Sequence, residues 1–179
     1  MGQDRRMVSV PKIRALAAAD APRLADLTTA YRRAMSGPAE AMTPDEASPL
    51  IERAIAGPDL LLLGADCGGA LAGFALAFEL PEIISGGRAG QLDDLFVMPE
   101  ARGSGLARAL IRQLTEIGTA RGWPHLRWLV PQDNAAAIHL YRSIAEPAPW
   151  DSFRIDLSRC ADEGPSARNR RPTASVEKR

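Results

Sequence analysis

The most informative segment of this chain is QLDDLFVMPEARGSGLARAL, residues 91–110. Its first seven residues have the composition of a strand, and the leucines from Leu106 onward recur at helical spacing. Between strand and helix lie Gly103 and Gly105, which let the backbone turn tightly. A glycine-rich turn that leads into a helix presents backbone N–H groups without helical acceptors, and these bind phosphate well. The stretch therefore predicts an anion-binding loop at residues 102–107, where Arg102 adds a positive charge.

The rest of the chain predicts an α/β fold with a mixed sheet. Strands are expected at Val8–Leu16, Asp59–Ala65, Ala70–Leu80, Gln91–Val97, His125–Val130 and Trp150–Leu157. Helices are expected after Ala19–Pro22 and Thr43–Glu46, at Leu106–Arg121 and at Asn134–Ser143. The sheet should be antiparallel in its first part and parallel where a helix crosses over.

Composition divides the chain into three parts. Residues 1–7 are expected to form a flexible N-terminus and residues 8–157 one globular domain. Residues 158–179 are expected to form a disordered basic tail, because the apolar content collapses from Ser158 onward. A nucleic-acid-binding arm is the alternative interpretation of that tail.

The charge balance and the cysteines narrow the class of protein. The chain has 179 residues with 22 basic and 22 acidic side chains, so its net charge is zero. A neutral chain without a long apolar run gives no reason to expect a nucleic acid or a membrane as partner. Cys67 and Cys160 have no partner motif, and we expect reduced thiols in a cytoplasmic protein. Neither His125 nor His139 shares a ligand spacing with them, so no metal is expected.

Two common phosphate-binding motifs do not fit residues 102–107. A dinucleotide fingerprint would need a glycine where Arg108 stands, and a P-loop would need Gly-Lys-Ser/Thr. The spacing Arg102-x-x-Gly105-x-Ala107 instead resembles the pyrophosphate loop of the GNAT acetyltransferases. The resemblance extends over roughly residues 8–157 and includes the strand before the loop and the segment QDNAAAIHLY at residues 132–141.

This resemblance implies a fold, an acyl donor and an acceptor. The fold would be a GNAT-like α/β fold: a mixed, mostly antiparallel twisted sheet, flanked by helices and splayed at the acetyl-CoA site. Acetyl-CoA would donate the acetyl group, a small-molecule primary amine would accept it, and a homodimer is compatible with the family. The residues implied in binding acetyl-CoA are Leu95, Phe96, Val97, Arg102, Gly103, Ser104, Gly105, Leu106, Ala107 and Asn134.

Transfer to an amine requires a proton acceptor and a proton donor. An alkyl ammonium with a pKa of about 10.4 must lose a proton before its nitrogen can attack a thioester. The resemblance implies that Tyr141 donates a proton to the departing thiolate. Candidates for the acceptor are Glu79, Asp93 and Asp94. Strand alternation places the two aspartates on opposite faces, so at most one of them should face the amine.

The resemblance allows more than one subgroup of the family, more than one acceptor, and a function without catalysis. The paired acids resemble diamine and related small-amine acetyltransferases, whereas the strand Leu92–Val97 also resembles that of histone-acetyltransferase-like members. A protein lysine or N-terminus is the rival acceptor, and a non-catalytic acyl-CoA-binding module is the rival function. Ala145 stands where the family often has glycine. Beyond it, Pro147-Ala148-Pro149 stiffens the chain. Both departures alter one wall of the expected acceptor site. Loops at residues 34–42 and 81–90 are expected to shape that site.

Overall fold

The computed structural model describes residues 11–155 and residue 157. The chain falls into two compact units that divide between Glu146 and Pro147. The expected flexible N-terminus at residues 1–7 and the expected tail at residues 158–179 lie outside the described residues.

Within residues 11–146, five strands and four α-helices lie close to their predicted positions. The strands are β1 (Lys12–Ala15), β2 (Leu60–Cys67), β3 (Ala70–Glu82), β4 (Gly87–Val97) and β5 (Leu126–Trp128). The helices are α1 (Ala21–Ser36), α2 (Pro44–Ala56), α3 (Leu106–Ala120) and α4 (Ala135–Arg142). Short 3-10 turns at Ala18–Asp20 and Pro99–Ala101 precede α1 and the loop before α3.

Local sequence explains where the helices begin. Thr43 caps α2, because its hydroxyl accepts from the backbone N–H of Glu46 at 3.3 Å. The Glu46 carboxylate in turn accepts from the Thr43 backbone N–H at 2.7 Å, which completes a capping box. α1 has Pro22 in its first turn, where the missing N–H costs nothing.

The sheet has the order β1-β2-β3-β4-β5. The first four strands pair antiparallel with their neighbours, and β5 pairs parallel with β4. α3 connects β4 to β5 and crosses the sheet, as a parallel connection requires. The predicted mixed, mostly antiparallel sheet is therefore confirmed.

Each face of the sheet is covered by its own helices. α1 and α2 bury Leu24, Leu27 and Ile51 against one face, which we call the α1 face. α3 buries Leu106, Leu110 and Leu114 against the other, which we call the α3 face. All six side chains are almost completely removed from water, so burial of apolar surface holds the helices onto the sheet.

The expected loop at residues 81–90 is mostly strand. β3 continues to Glu82 and β4 begins at Gly87, so only residues 83–86 form the turn between them. Ile83 and Ile84 are exposed at the tip of this hairpin. The glycine content suggested a loop, but pairing across the long hairpin extends both strands through it.

The expected strand at Trp150–Leu157 is wrong for residues 150–155. They have no regular structure, and Trp150, Phe153 and Ile155 are at least three-quarters exposed. A strand needs a neighbour to accept and donate its backbone hydrogen bonds, and within the described residues this segment pairs with none. Alternating apolar residues alone do not supply that neighbour.

Candidate active site

The sheet opens between β4 and β5. Parallel pairing covers three positions, Gly90–Leu126, Gln91–Arg127 and Leu92–Trp128, and the two strands pair no further. β4 nevertheless continues to Val97, so the second half of β4 has an edge that β5 leaves free. A small cleft lies at this opening. It is lined from α1 by Tyr31 and Met35, from β4 by Leu92, Asp93 and Leu95, and beyond them by residues 128–131, Asn134 and Tyr141.

A β-bulge at Asp93 sets the direction of both acidic side chains. Leu92 pairs with Ala77 and Asp94 pairs with Leu76, so Asp93 is an extra residue on β4. Leu92 and Ala77 pack on the α3 face, whereas Leu76 packs on the α1 face. Asp94 therefore faces α1, and Asp93 lines the cleft. Of the two aspartates, Asp93 is the one that lines the cleft, and the expectation of opposite faces stays a prediction because the bulge interrupts the regular alternation on which it rests.

Asp94 is paired with a tyrosine from α1. The hydroxyl of Tyr31 donates to Oδ1 of Asp94 at 2.8 Å. Burial raises the pKa of Asp94, the hydrogen bond from Tyr31 lowers it, and the negative charge of Asp93 raises it further. Burial and the neighbouring carboxylate also raise the pKa of Tyr31, so its hydroxyl stays protonated and acts as the donor.

α4 brings two predicted residues to the cleft. The ring of Tyr141 meets the ring of Trp128 edge to face, with centroids 5.3 Å apart and an interplanar angle of 68°. Burial raises the pKa of Tyr141, so its hydroxyl keeps its proton at neutral pH. Asn134 lines the cleft and caps α4, where its Oδ1 accepts from the backbone N–H of Ala137 at 3.2 Å.

The predicted anion-binding loop leads from the free end of β4 into α3. Gly105 is the N-cap of α3 and has φ 85° and ψ 3°, a left-handed conformation that strains any residue with a Cβ. It offers no side-chain acceptor, so the first-turn N–H groups of α3 are not capped by it. Nε of Arg102 donates to the backbone oxygen of Val97 at 3.2 Å, and its guanidinium lies 6.0 Å from the ring centroid of Phe96. A cationic side chain thus lies along the free end of β4.

Glu79 lies outside the cleft in an ion-pair cluster. Nε of Arg88 lies 2.8 Å from Oε1 of Glu79, and Nη1 of Arg121 lies 2.5 Å from Oε2. Burial opposes ionisation of Glu79, but the hydrogen bonds from Arg121 and Arg88 outweigh it and lower its pKa. Nη2 of Arg88 also bonds Oδ1 of Asp59 at 2.6 Å, which ties β3 and β4 to the start of β2. Both carboxylate oxygens of Glu79 are therefore already occupied.

The structure brings together most of the predicted site and adds one residue. Asp93, Asn134 and Tyr141 line the cleft, Asp94 lies behind it, and the predicted loop follows directly along the chain. The residue that the sequence does not single out is Tyr31, which lies on α1 at helical spacing from the buried Leu24 and Leu27. Its helical spacing is that of a core residue, and nothing local in the sequence reveals its bond to Asp94.

The described residues include neither a candidate metal site nor a candidate membrane-spanning helix. They contain no group of three or more His, Cys, Asp or Glu side chains arranged to hold a metal ion. None of the helices among them combines the length and the apolar run that a membrane crossing requires.

Comparisons with known proteins agree with this geometry. Residues 24–145 match the Acetyltransferase (GNAT) family. A thialysine N-epsilon-acetyltransferase from Caenorhabditis elegans is 34% identical over 80 residues, covering 40% of this chain and 50% of that protein. The Mus musculus protein of the same name is 32% identical over 75 residues, covering 39% of this chain and 44% of that protein. The chain thus spans half or less of the length of these curated relatives.

A solved structure covers more of the chain. Ribosomal-protein-alanine N-acetyltransferase from Brucella melitensis biovar Abortus 2308 is 32% identical, with a TM-score of 0.71, over 83% of this chain and 99% of that one. The predicted α/β architecture is therefore confirmed by an experimental structure as well as by its own topology. The family match includes β4, the loop at residues 102–107 and α4, which carry the residues of the cleft. This chain belongs to the acetyltransferase (GNAT) family.

Proposed function

We propose that this protein is an acetyl-CoA-dependent N-acetyltransferase that transfers an acetyl group to a small-molecule primary amine. One observation carries the proposal: Asp93 and Tyr141 line the same cleft, at the opening between β4 and β5. A carboxylate and a protonated phenol supply the acceptor and the donor that amine acylation requires. The anion-binding loop at residues 102–107 follows the same strand.

Residues along β4, the loop and α4 would hold acetyl-CoA. The N–H groups of Gly103, Ser104, Gly105, Leu106 and Ala107 would bind the pyrophosphate, helped by the α3 dipole and by Arg102. The free backbone edge at Leu95, Phe96 and Val97 would pair with the pantetheine arm. Asn134 would contact the cofactor from the start of α4. The left-handed Gly105 and the open edge of β4 are the features of this structure that fit such a ligand.

The proposed reaction is a direct transfer within a ternary complex. Asp93 takes a proton from the ammonium, directly or through water, and the nitrogen lone pair attacks the thioester carbonyl carbon. The C–N bond forms, the C–S bond breaks, and its electron pair leaves on sulfur. Tyr141 gives its proton to this thiolate and regains one from the second N–H of the amine. The products are an acetamide, CoA and one proton, which Asp93 releases to solvent.

A small amine is the first candidate for the acceptor. Asp93 lines the cleft and Asp94 lies behind it, so this side of the cleft is negative and suits an ammonium. The relatives named thialysine N-epsilon-acetyltransferase support the same class. The Brucella structure favours a second candidate, the α-amine of a protein N-terminus, because its name specifies an alanine of a ribosomal protein.

A thiol-release assay with acetyl-CoA tests the proposal. The amines to compare are thialysine, lysine, short diamines and a peptide that begins with alanine. We expect amine-dependent release of CoA, confirmed by the mass of the acetamide, and a higher kcat/KM for the small amines. A preference for the peptide would establish the second candidate. Tight binding of acetyl-CoA with no release for any amine would instead identify a non-catalytic binding module.

A further inference from the structure

The position of Tyr31 is fixed by aromatic packing. Its ring meets Phe74 edge to face, with centroids 6.0 Å apart, and lies 5.5 Å from Phe96. Both phenylalanines belong to the core of the α1 face, where Phe74 is 4% and Phe96 is 6% exposed. A ring held in this way has little rotational freedom, so its hydroxyl is aimed at one place. That place is Oδ1 of Asp94.

The Asp94 carboxylate needs this donor. It is half-buried and next to the bulged Asp93, and two neighbouring carboxylates disfavour each other's ionised forms. The titratable groups that act on it are Tyr31 on α1 and Asp93 on its own strand. Tyr141 on α4 acts on Tyr31. Among these, Tyr31 is the one that donates a hydrogen bond to Asp94.

A purely structural role would also place a tyrosine in an aromatic core with its hydroxyl bonded. Two observations favour a role in the site. Tyr31 itself lines the cleft, although most of its neighbours on α1 do not. Its acceptor is moreover a carboxylate that the bulge at Asp93 turns toward the same face.

We propose that Tyr31 is a positioning residue, which holds the Asp94 carboxylate ionised directly behind the cleft, so that its negative charge adds to that of Asp93 in attracting the cationic acceptor. This inference rests on the proposed function, because it concerns how the amine is bound. Tyr31 acts through Asp94 and takes no part in the proton transfers assigned to Asp93 and Tyr141.

Steady-state kinetics of Tyr31→Phe test the proposal. The substitution keeps the ring and its packing and removes only the hydroxyl. We expect the KM for the amine to rise about tenfold, because a hydrogen bond to a charged group is lost, while kcat and the KM for acetyl-CoA change less than about threefold. Thr28→Val, which removes a hydroxyl on α1 away from the cleft, should leave all three constants unchanged. An unchanged amine KM for Tyr31→Phe would overturn the proposal.

A double-mutant cycle shows whether Tyr31 acts through Asp94. We expect Tyr31→Phe to have no further effect on the amine KM once Asp94 has been replaced by asparagine. Effects that multiply in the double variant would contradict the inference, because the hydroxyl would then act independently of the carboxylate.

NMR titration of the Asp94 side-chain carboxyl carbon does not depend on turnover. In Tyr31→Phe the midpoint should move to higher pH than in the parent, because burial and Asp93 then act without the opposing hydrogen bond. An unmoved midpoint would overturn the inference even if the enzyme is active. A parent protein that acetylates no amine, with the midpoint shifted as expected, would refute the proposed function and leave the Tyr31–Asp94 coupling established.

Discussion

Tyr141 lies against Trp128 in the cleft, where burial raises its pKa and keeps its hydroxyl protonated. If this hydroxyl protonates the leaving thiolate, Tyr141→Phe removes an interaction made mainly in the transition state. We expect kcat to fall about a hundredfold or more, while the Kd of acetyl-CoA from calorimetry stays within about threefold. A Phe variant that turns over like the parent would make Tyr141 a packing residue.

Asp93 is the proton acceptor that the cleft supports best. We expect Asp93→Asn to lower kcat at pH 7 by about a hundredfold, because most of the amine then stays protonated. Part of the loss should be regained as the pH rises toward the pKa of the amine, since solvent then removes the proton. Asp26→Asn, an exposed change on α1, is the matched control. A loss that is the same at pH 7 and pH 9.5 would argue against a role as base.

Glu79 should contribute to the free energy of unfolding and not to proton transfer. Its pKa is lowered in the folded protein, so its contribution is complete above the pKa of the unfolded chain, about 4.3, and is lost as the pH falls through the folded value. We expect Glu79→Gln to lower the free energy of unfolding by about 2 kcal/mol at pH 7 in urea titrations, and by less below pH 4. If kcat of the folded variant fell as in Asp93→Asn, Glu79 would have to be reconsidered as the base.

For helices, strands and loops, the sequence predicts the features that are set by the local pattern of residues. The leucine spacing of α3, the caps of α2 and α4 and the glycine-rich loop at residues 102–107 depend on neighbours within a few residues. The bulge at Asp93 could not be predicted, because it is a property of the pairing between β4 and β3. Tyr31 escaped prediction for the same reason: its bond to Asp94 joins residues that are 63 positions apart.

The loop before α3 should determine the affinity for acetyl-CoA. Gly105→Glu should abolish binding of acetyl-CoA in calorimetry, because a side chain strains the left-handed backbone and its charge repels the pyrophosphate. Circular dichroism should still report a folded protein. Gly86→Glu is the control, since Gly86 also has a positive φ, 72°, but lies in the exposed turn between β3 and β4. Unchanged affinity in Gly105→Glu would contradict the placement of the cofactor.

At the scale of the whole molecule, the sheet, its two helical layers and the cleft all lie within residues 11–146. The composition of residues 161–179, with few apolar side chains, predicts that they add nothing to this core. Removal of these residues should therefore leave kcat/KM and Tm nearly unchanged. A fall in Tm of several degrees would show that the segment packs on the folded protein.

In the proposed reaction, acetyl passes directly from acetyl-CoA to an amine in the cleft. A single-turnover measurement mixes acetyl-CoA labelled in the acetyl group with a slight excess of the protein, with and without a confirmed amine, and follows the label after rapid quenching. We predict labelled acetamide in one turnover, formed only when the amine is present, with no label on the denatured protein and far slower formation in Tyr141→Phe. Label attached covalently to the protein, or recovered only as acetate, would contradict the claim.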